Sequence, residues 1–270
     1  MKSRMFFIVL FIKRFFFFLI SVTKYLYSGV LWLIFSKEHT SHSLELSENK
    51  QNMIAVQISN FFEIKLDKVF TIFNFAKKIS FEKKFIYNFN DRKADIDYKN
   101  KLDYRIIPLV LFFETDIKNI FEFGFNQGRL LYIINDFCKL NPLPKKQYIG
   151  IDYNKRKGGL IDDVSFNLKN EILYQPVEIY LEEKQPYAEL ENSILICSTH
   201  EVNSEEAIFN YLLENKCFPE VIISDNIKVN SSFMNFYNLN KSSYKINFFS
   251  FTDNQNFLSP IEIGVLKKLT

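Results

Sequence analysis

The sequence predicts an α/β protein, and three observations carry that expectation. Residues 119–128 (N-I-F-E-F-G-F-N-Q-G) read in succession as an apolar strand, a glycine turn and the start of a helix. A second strand, Tyr148-Ile149-Gly150-Ile151-Asp152, follows and ends on an acid. From residue 119 to the end of the chain, strand-like runs succeed one another with helical segments between the early ones, the rhythm of an α/β fold.

Each element has its own justification. Ile120, Phe121 and Phe123 make the first strand apolar, and Gly124 allows a sharp turn and a close approach of backbone to a ligand. The helix that follows, 129–140, is amphipathic, and Asn141-Pro142-Leu143-Pro144 stops it. Its N-terminus offers unpaired N–H groups to a polar or anionic ligand. Strand two is 147–152, and the basic N-K-R-K-G-G run at 154–159 reads as a turn beside its acid. Residues 171–180 read as a strand that Pro176 bends or marks as an edge. The apolar run 193–199 suits a buried parallel strand. A helix at 204–215 with Ser204 as N-cap, a buried strand at 220–225 and a helix at 231–239 come next. Two alternating strands, 245–251 and 261–268, close the chain and bring the total to about seven.

Upstream of this block the chain changes character. Residues 5–35 are its most hydrophobic part, interrupted by Lys13-Arg14 and by Lys24. The run 15–35 has the roughly 20-residue length of a spanning helix but carries Lys24 near its middle. A single anchor helix, helices lying in the membrane interface, and an arm packed on the protein's own body all remain open. No convincing cleavage site for a signal peptide follows the apolar core. The polar stretch 36–50 reads as a linker, 51–78 as one or two amphipathic helices, 88–98 as a charged loop and 102–113 as a helix broken near Pro108. The expected organisation is therefore a membrane-associating segment at 1–35, a linker and helical prefix at 36–115, and an α/β domain at 116–270.

The chain of 270 residues carries 34 Lys+Arg against 31 Asp+Glu, a balance that gives no electrostatic footprint for nucleic acid. Its 31 phenylalanines accompany abundant Ile, Asn and Lys, all with AT-rich codons, so they are not evidence of aromatic stacking on bases. Cys138, Cys197 and Cys217 match no metal spacing and form no disulfide framework, and they read as buried thiols in a reducing compartment.

The segment E-F-G-F-N-Q-G resembles the first motif of class I S-adenosylmethionine-dependent methyltransferases, and Y-I-G-I-D-Y resembles their second. A dinucleotide fingerprint aligned on Gly124 would need glycine at 126 and 129, where Asn126 and Arg129 stand. The resemblance covers roughly residues 115–270 and implies a Rossmann-like seven-stranded sheet whose seventh strand runs antiparallel, with helices on both faces. It implies S-adenosylmethionine as cofactor, with the glycine turn at its amino-acid end and Asp152 on its ribose hydroxyls. The cofactor-binding candidates are Glu122, Gly124, Asn126, Gly128, Asp152 and Tyr153. The rhythm from S-I-L-I-C-S-T-H-E-V to E-V-I-I-S-D-N is similar to FkbM-type methyltransferases, although Ser198-Thr199-His200-Glu201 stands where those carry an acidic motif.

A hydroxyl acceptor benefits from a base at the C-terminal ends of the strands. His200 and Asp225 are the catalytic candidates there, since His39 and His42 lie in the linker. No metal site is expected. The function this implies is methyl transfer to a hydroxyl of a small molecule, a sugar or a glycolipid, on the cytoplasmic face of a membrane. If residues 1–35 pack on the protein itself, the location is the cytoplasm. The alternative is a membrane-attached binding module that keeps the fold without catalysis.

Overall fold

The computed structural model describes residues 46–82, 85–89, 92–96, 104–125, 128–140, 146–153, 168–199, 202–225, 227, 231–251 and 262–269. The chain divides into two units, Met1–Ser43 and Leu44–Thr270, and every described residue belongs to the second. The hydrophobic segment 1–35 therefore lies outside the described residues, as do the basic turn 154–159, His39 and His42.

Two helices open the second unit, α1 (Glu48–Phe62) and α2 (Leu66–Glu82). The Ser47 side chain accepts from the Lys50 N–H at 3.3 Å and caps α1. Glu63 ends it in the left-handed region at φ 62°, and its carboxylate accepts from Lys245 at 3.2 Å and Lys267 at 3.1 Å. The expected charged loop at 88–98 is instead part of a hairpin: β1 (Phe85–Phe89) pairs antiparallel with β2 (Arg92–Ile96). Its ladder is made by backbone groups, which charged side chains do not prevent from pairing. Helix α3 (Ile106–Glu114) is not broken at Pro108. Proline falls in the first turn, where its missing N–H would lack a helical partner anyway. Residues 106–112 are all buried, as a helix apolar on every side requires.

The α/β expectation holds, and the sheet has seven strands. They are β3 (Asn119–Phe123), β4 (Gln147–Asp152), β5 (Lys169–Tyr174), β6 (Ser193–Cys197), β7 (Val221–Ser224), β8 (Tyr244–Ser250) and β9 (Glu262–Lys268). Their order is β5-β4-β3-β6-β7-β9-β8. Neighbours pair in parallel except β9, which is antiparallel to both β7 and β8. Every residue of β6 and β7 is buried, as central parallel strands covered on both faces must be.

Side-chain alternation divides the interior into two clusters. Ile120, Ile194, Ile196, Val221 and Ile223 face α1, α2, α3 and α4 (Arg129–Leu140). Phe121, Phe123, Leu195 and Ile222 face α5 (Val177–Lys184), α6 (Tyr187–Glu191), α7 (Val202–Glu214) and α8 (Ser232–Leu239). Two expected boundaries move. The strand expected over 171–180 stops at Tyr174, and Pro176 caps α5. The Val-Glu-Ile-Tyr alternation at 177–180 mimics a period of two, but proline at a helix start is already in helical φ. Ser204 is not an N-cap, because α7 already begins at Val202. Its hydroxyl instead donates to Glu178 Oε1 at 2.8 Å and ties α7 to α5.

Candidate active site

The strand order creates a switch point. From β3 the chain winds outward through β4 to β5, then returns beside β3 as β6 and winds the other way to β7. Segments leaving the C-terminal ends of β3 and β6 therefore diverge, and open α/β sheets bind ligands in the crevice this leaves. All the sequence candidates that the structure describes lie at this edge.

The glycine turn sits at this switch point. Gly124 has φ 84°, a conformation that side-chain-bearing residues rarely adopt. A Cβ there would lie 2.5 Å from the carbonyl carbon of Ser198 and closer still to its oxygen. The turn is thus pressed against the chain leaving β6. Gly124 N–H donates to the Ile151 carbonyl at 2.8 Å, and Ser198 N–H donates to the Phe123 carbonyl at 2.9 Å. Gly128, at φ 74°, ends the turn, and its carbonyl accepts the Tyr132 N–H at 2.9 Å as α4 begins. Asn126 lies outside the described residues.

Glu122 points to the face covered by α1–α4 and is 1% exposed. Register places it opposite Gly150 of β4. Tyr148, two residues earlier on the same face, donates its hydroxyl to Glu122 Oε2. The missing side chain at 150 makes this reach possible, because a Cβ there would lie 2.9 Å from Tyr148 Cε1 and 3.0 Å from Phe125 Cδ1. Burial, and then the Glu122 charge, holds the Tyr148 phenol well above its ordinary pKa, so it stays a neutral donor.

Asp152, half-buried, ends β4, and Tyr153 beyond it is 62% exposed. Asp225, also half-buried, follows β7. A chain of hydroxyls runs to it from the helical prefix. Tyr104 donates to Ser198 Oγ at 3.1 Å, and Ser198 donates to Asp225 Oδ2 at 2.5 Å. Burial pushes the Tyr104 phenol far up; the Arg105 charge opposes this, while Asp225 and Glu122 add to it. Arg105 stacks over the Tyr104 ring, its guanidinium carbon 4.9 Å from the centroid.

The structure thus brings Glu122, Gly124, Gly128, Asp152, Tyr153 and Asp225 to one edge of the sheet. His200, the other catalytic candidate, lies outside the described residues. Tyr104, Arg105, Tyr148 and Ser198 were not among the expected site residues. Tyr148 carried one usable signal: with a period of two it shares a face with Gly150 and Asp152. Tyr104 carried none, being 94 residues from the serine it bonds. Chemically, the edge offers a backbone turn and, at two strand ends, carboxylates whose oxygens can accept bonds from hydroxyl or ammonium groups. Among the described residues, no group of three or more His, Cys, Asp or Glu side chains could hold a metal ion.

No protein-family model matches the sequence, and no curated protein matches it. Among solved structures, the chain is similar to CalS11, a calicheamicin methyltransferase, with a TM-score of 0.36 and 9% identity over 56% of this chain and 72% of that one. It is similar to apo CalS11, described as a TDP-rhamnose 3′-O-methyltransferase of calicheamicin biosynthesis, with a TM-score of 0.35 and 11% identity over 56% and 71%. A Listeria monocytogenes protein described as a class I S-adenosylmethionine-dependent methyltransferase gives a TM-score of 0.32 and 13% identity over 85% and 71%.

Proposed function

We propose that this chain is an S-adenosylmethionine-dependent methyltransferase that methylates a hydroxyl of a small molecule, a sugar or a glycolipid. One observation carries the reading. At the switch point of a seven-stranded sheet whose one reversed strand is β9, a glycine-bounded turn abuts the end of β6 while the adjacent strand ends on the half-buried Asp152. The residues fit the cofactor: Asp152 can accept bonds from ribose hydroxyls, and the turn from Gly124 to Gly128 brings backbone to the amino-acid end. The cofactor supplies the reactive methyl group on a sulfonium, so the protein's task is orientation and electrostatics. Asp225, oriented by the Ser198 hydroxyl, and His200 are the proposed acceptors of the proton that leaves the hydroxyl.

We also place the site at the cytoplasmic face of a membrane, with residues 1–35 as the tether. The apolar composition of that segment supports this. Among the described residues, no helix is long and apolar enough to cross a membrane.

Calorimetry with S-adenosylmethionine tests the reading. Asp152→Ala should weaken binding by about 1.5–3 kcal/mol, the worth of hydrogen bonds to a charged group. Unchanged affinity in the folded variant removes the ribose assignment. Formation of S-adenosylhomocysteine in the presence of cell-envelope sugars tests turnover. Flotation with vesicles, comparing the full chain with one starting near Ser41, tests the tether, and a full chain that stays with the soluble fraction sinks it.

A further inference from the structure

We propose that Tyr104 is a positioning residue for the proton acceptor Asp225, acting through the hydroxyl of Ser198. The inference rests on the methyltransferase reading above and adds to it a side chain from the helical prefix.

The direction of each hydrogen bond follows from the chemistry of the three groups. An ionised carboxylate has no proton to give, so in the 2.5 Å bond between Ser198 Oγ and Asp225 Oδ2 the serine donates. A serine hydroxyl has a single proton. Toward the Tyr104 hydroxyl, 3.1 Å away, Ser198 can then only accept, and the phenol is the donor. Burial, more than any neighbouring charge, keeps that phenol protonated. A hydroxyl that accepts one bond donates the next more strongly, because bonds in a chain polarise one another. With a lone pair and its proton both committed, the Ser198 hydroxyl is no longer free to rotate. Its charge-assisted bond then restrains how the Asp225 carboxylate turns about its Cβ–Cγ bond. Further bonds to that carboxylate would restrain it in the same sense.

Burial separates the roles. Tyr104 is 7% exposed and Ser198 5%, so neither opens to a ligand. Asp225 is half-buried at the end of β7, where a crevice at the strand ends can be reached. A phenylalanine ring would fill the place of the Tyr104 ring equally well. The hydroxyl adds a buried polar group that costs free energy unless it is bonded, and it is spent on Ser198, 94 residues away.

The test is a double-mutant cycle on the full chain, read by urea unfolding. Tyr104→Phe and Asp225→Asn alter the two ends of the hydroxyl chain. Their effects on the unfolding equilibrium constant should depart from additivity by at least about twofold. The departure should shrink in a Ser198→Ala background and return with Ser198→Thr, which keeps the hydroxyl. If Tyr104 only filled space, the three backgrounds would agree. A second measurement reads function. Tyr104→Phe should bind S-adenosylmethionine within about twofold of wild type, yet form S-adenosylhomocysteine in the presence of cell-envelope sugars up to about 100-fold more slowly, the cost of a misplaced group. Should Tyr104→Phe not fold, Ser198→Ala against Ser198→Thr makes the same comparison, with turnover lost in the first and kept in the second. Additive effects, a coupling indifferent to Ser198, or unchanged turnover in the variants overturns the inference while the methyltransferase reading stands. A wild-type chain that binds no S-adenosylmethionine overturns that reading, and the role of Tyr104 with it.

Discussion

Gly124 is the residue on which the site depends most. A side chain there meets two obstacles at once, a φ of 84° and the backbone of Ser198, which cannot swing aside as a side-chain tip could. Strained backbone of this kind costs about 1–3 kcal/mol before any collision is counted. Gly124→Ala should therefore lower the urea midpoint by at least that equivalent, and an unchanged midpoint would mean that the turn at Gly124 does not press on the Ser198 backbone. Gly150 differs in kind: its neighbours are the rings of Tyr148 and Phe125, so what its absent Cβ protects is the reach of Tyr148 to Glu122. Both glycines stand out in the sequence, but only Gly124 announces its role there, as a turn. The role of Gly150 needs the register that sets it beside Glu122.

At the scale of elements, α3 raises a question that its composition poses and its neighbours answer. A helix apolar on all sides must still satisfy its last carbonyls. Lys146, directly before β4, donates to the carbonyls of Phe112 and, at 2.6 Å, of Thr115, with its ammonium 5.0 Å from the Phe112 ring centre. Burial pushes the Lys146 pKa down, and the acids Asp116 and Glu114 partly restore it. Lys146→Met keeps the stem but removes the donors, and urea unfolding should show a loss of about 1–3 kcal/mol. No loss would mean that the cost of burying the ammonium cancels its bonds. The start of β4, which leads to Asp152, is thereby pinned to the helix that begins beside Tyr104 and Arg105.

For the whole molecule, the three thiols make stability depend on alkaline pH. All three are buried and free. Burial pushes Cys138 up to about 11 and Cys217 to about 12, and raises Cys197 well above the ordinary 9.0. The unfolded chain releases these protons near pH 9 while the folded chain retains them. Folded stability is then complete below pH 9 and falls as pH rises toward 11 and 12. Urea midpoints should decline between pH 9 and 10, before unfolded tyrosines ionise, and Cys138→Ala should flatten that decline. A flat wild-type profile there would mean the thiols are not sealed from water.

Much of this was legible in the chain alone. The strand–glycine–helix–strand–acid run, the buried strands at 193–197 and 221–224 and the closing strand pair follow from local rules: apolar period, glycine and proline placement, and run length. Asp152 could be assigned to a strand end for the same reason. The remainder depended on which elements came to lie side by side. The direction of β9, the hairpin of β1 and β2, and the bond between Ser204 and Glu178 leave no local trace. Nor does the hydroxyl chain from Tyr104 through Ser198 to Asp225, whose links span 94 and 27 residues. Such bonds form only after strand order and register are settled, and those are set by how every helix and strand buries its apolar face at once. The sequence therefore determined which elements exist and where a ligand turn begins; the tertiary structure decided which side chains meet around it.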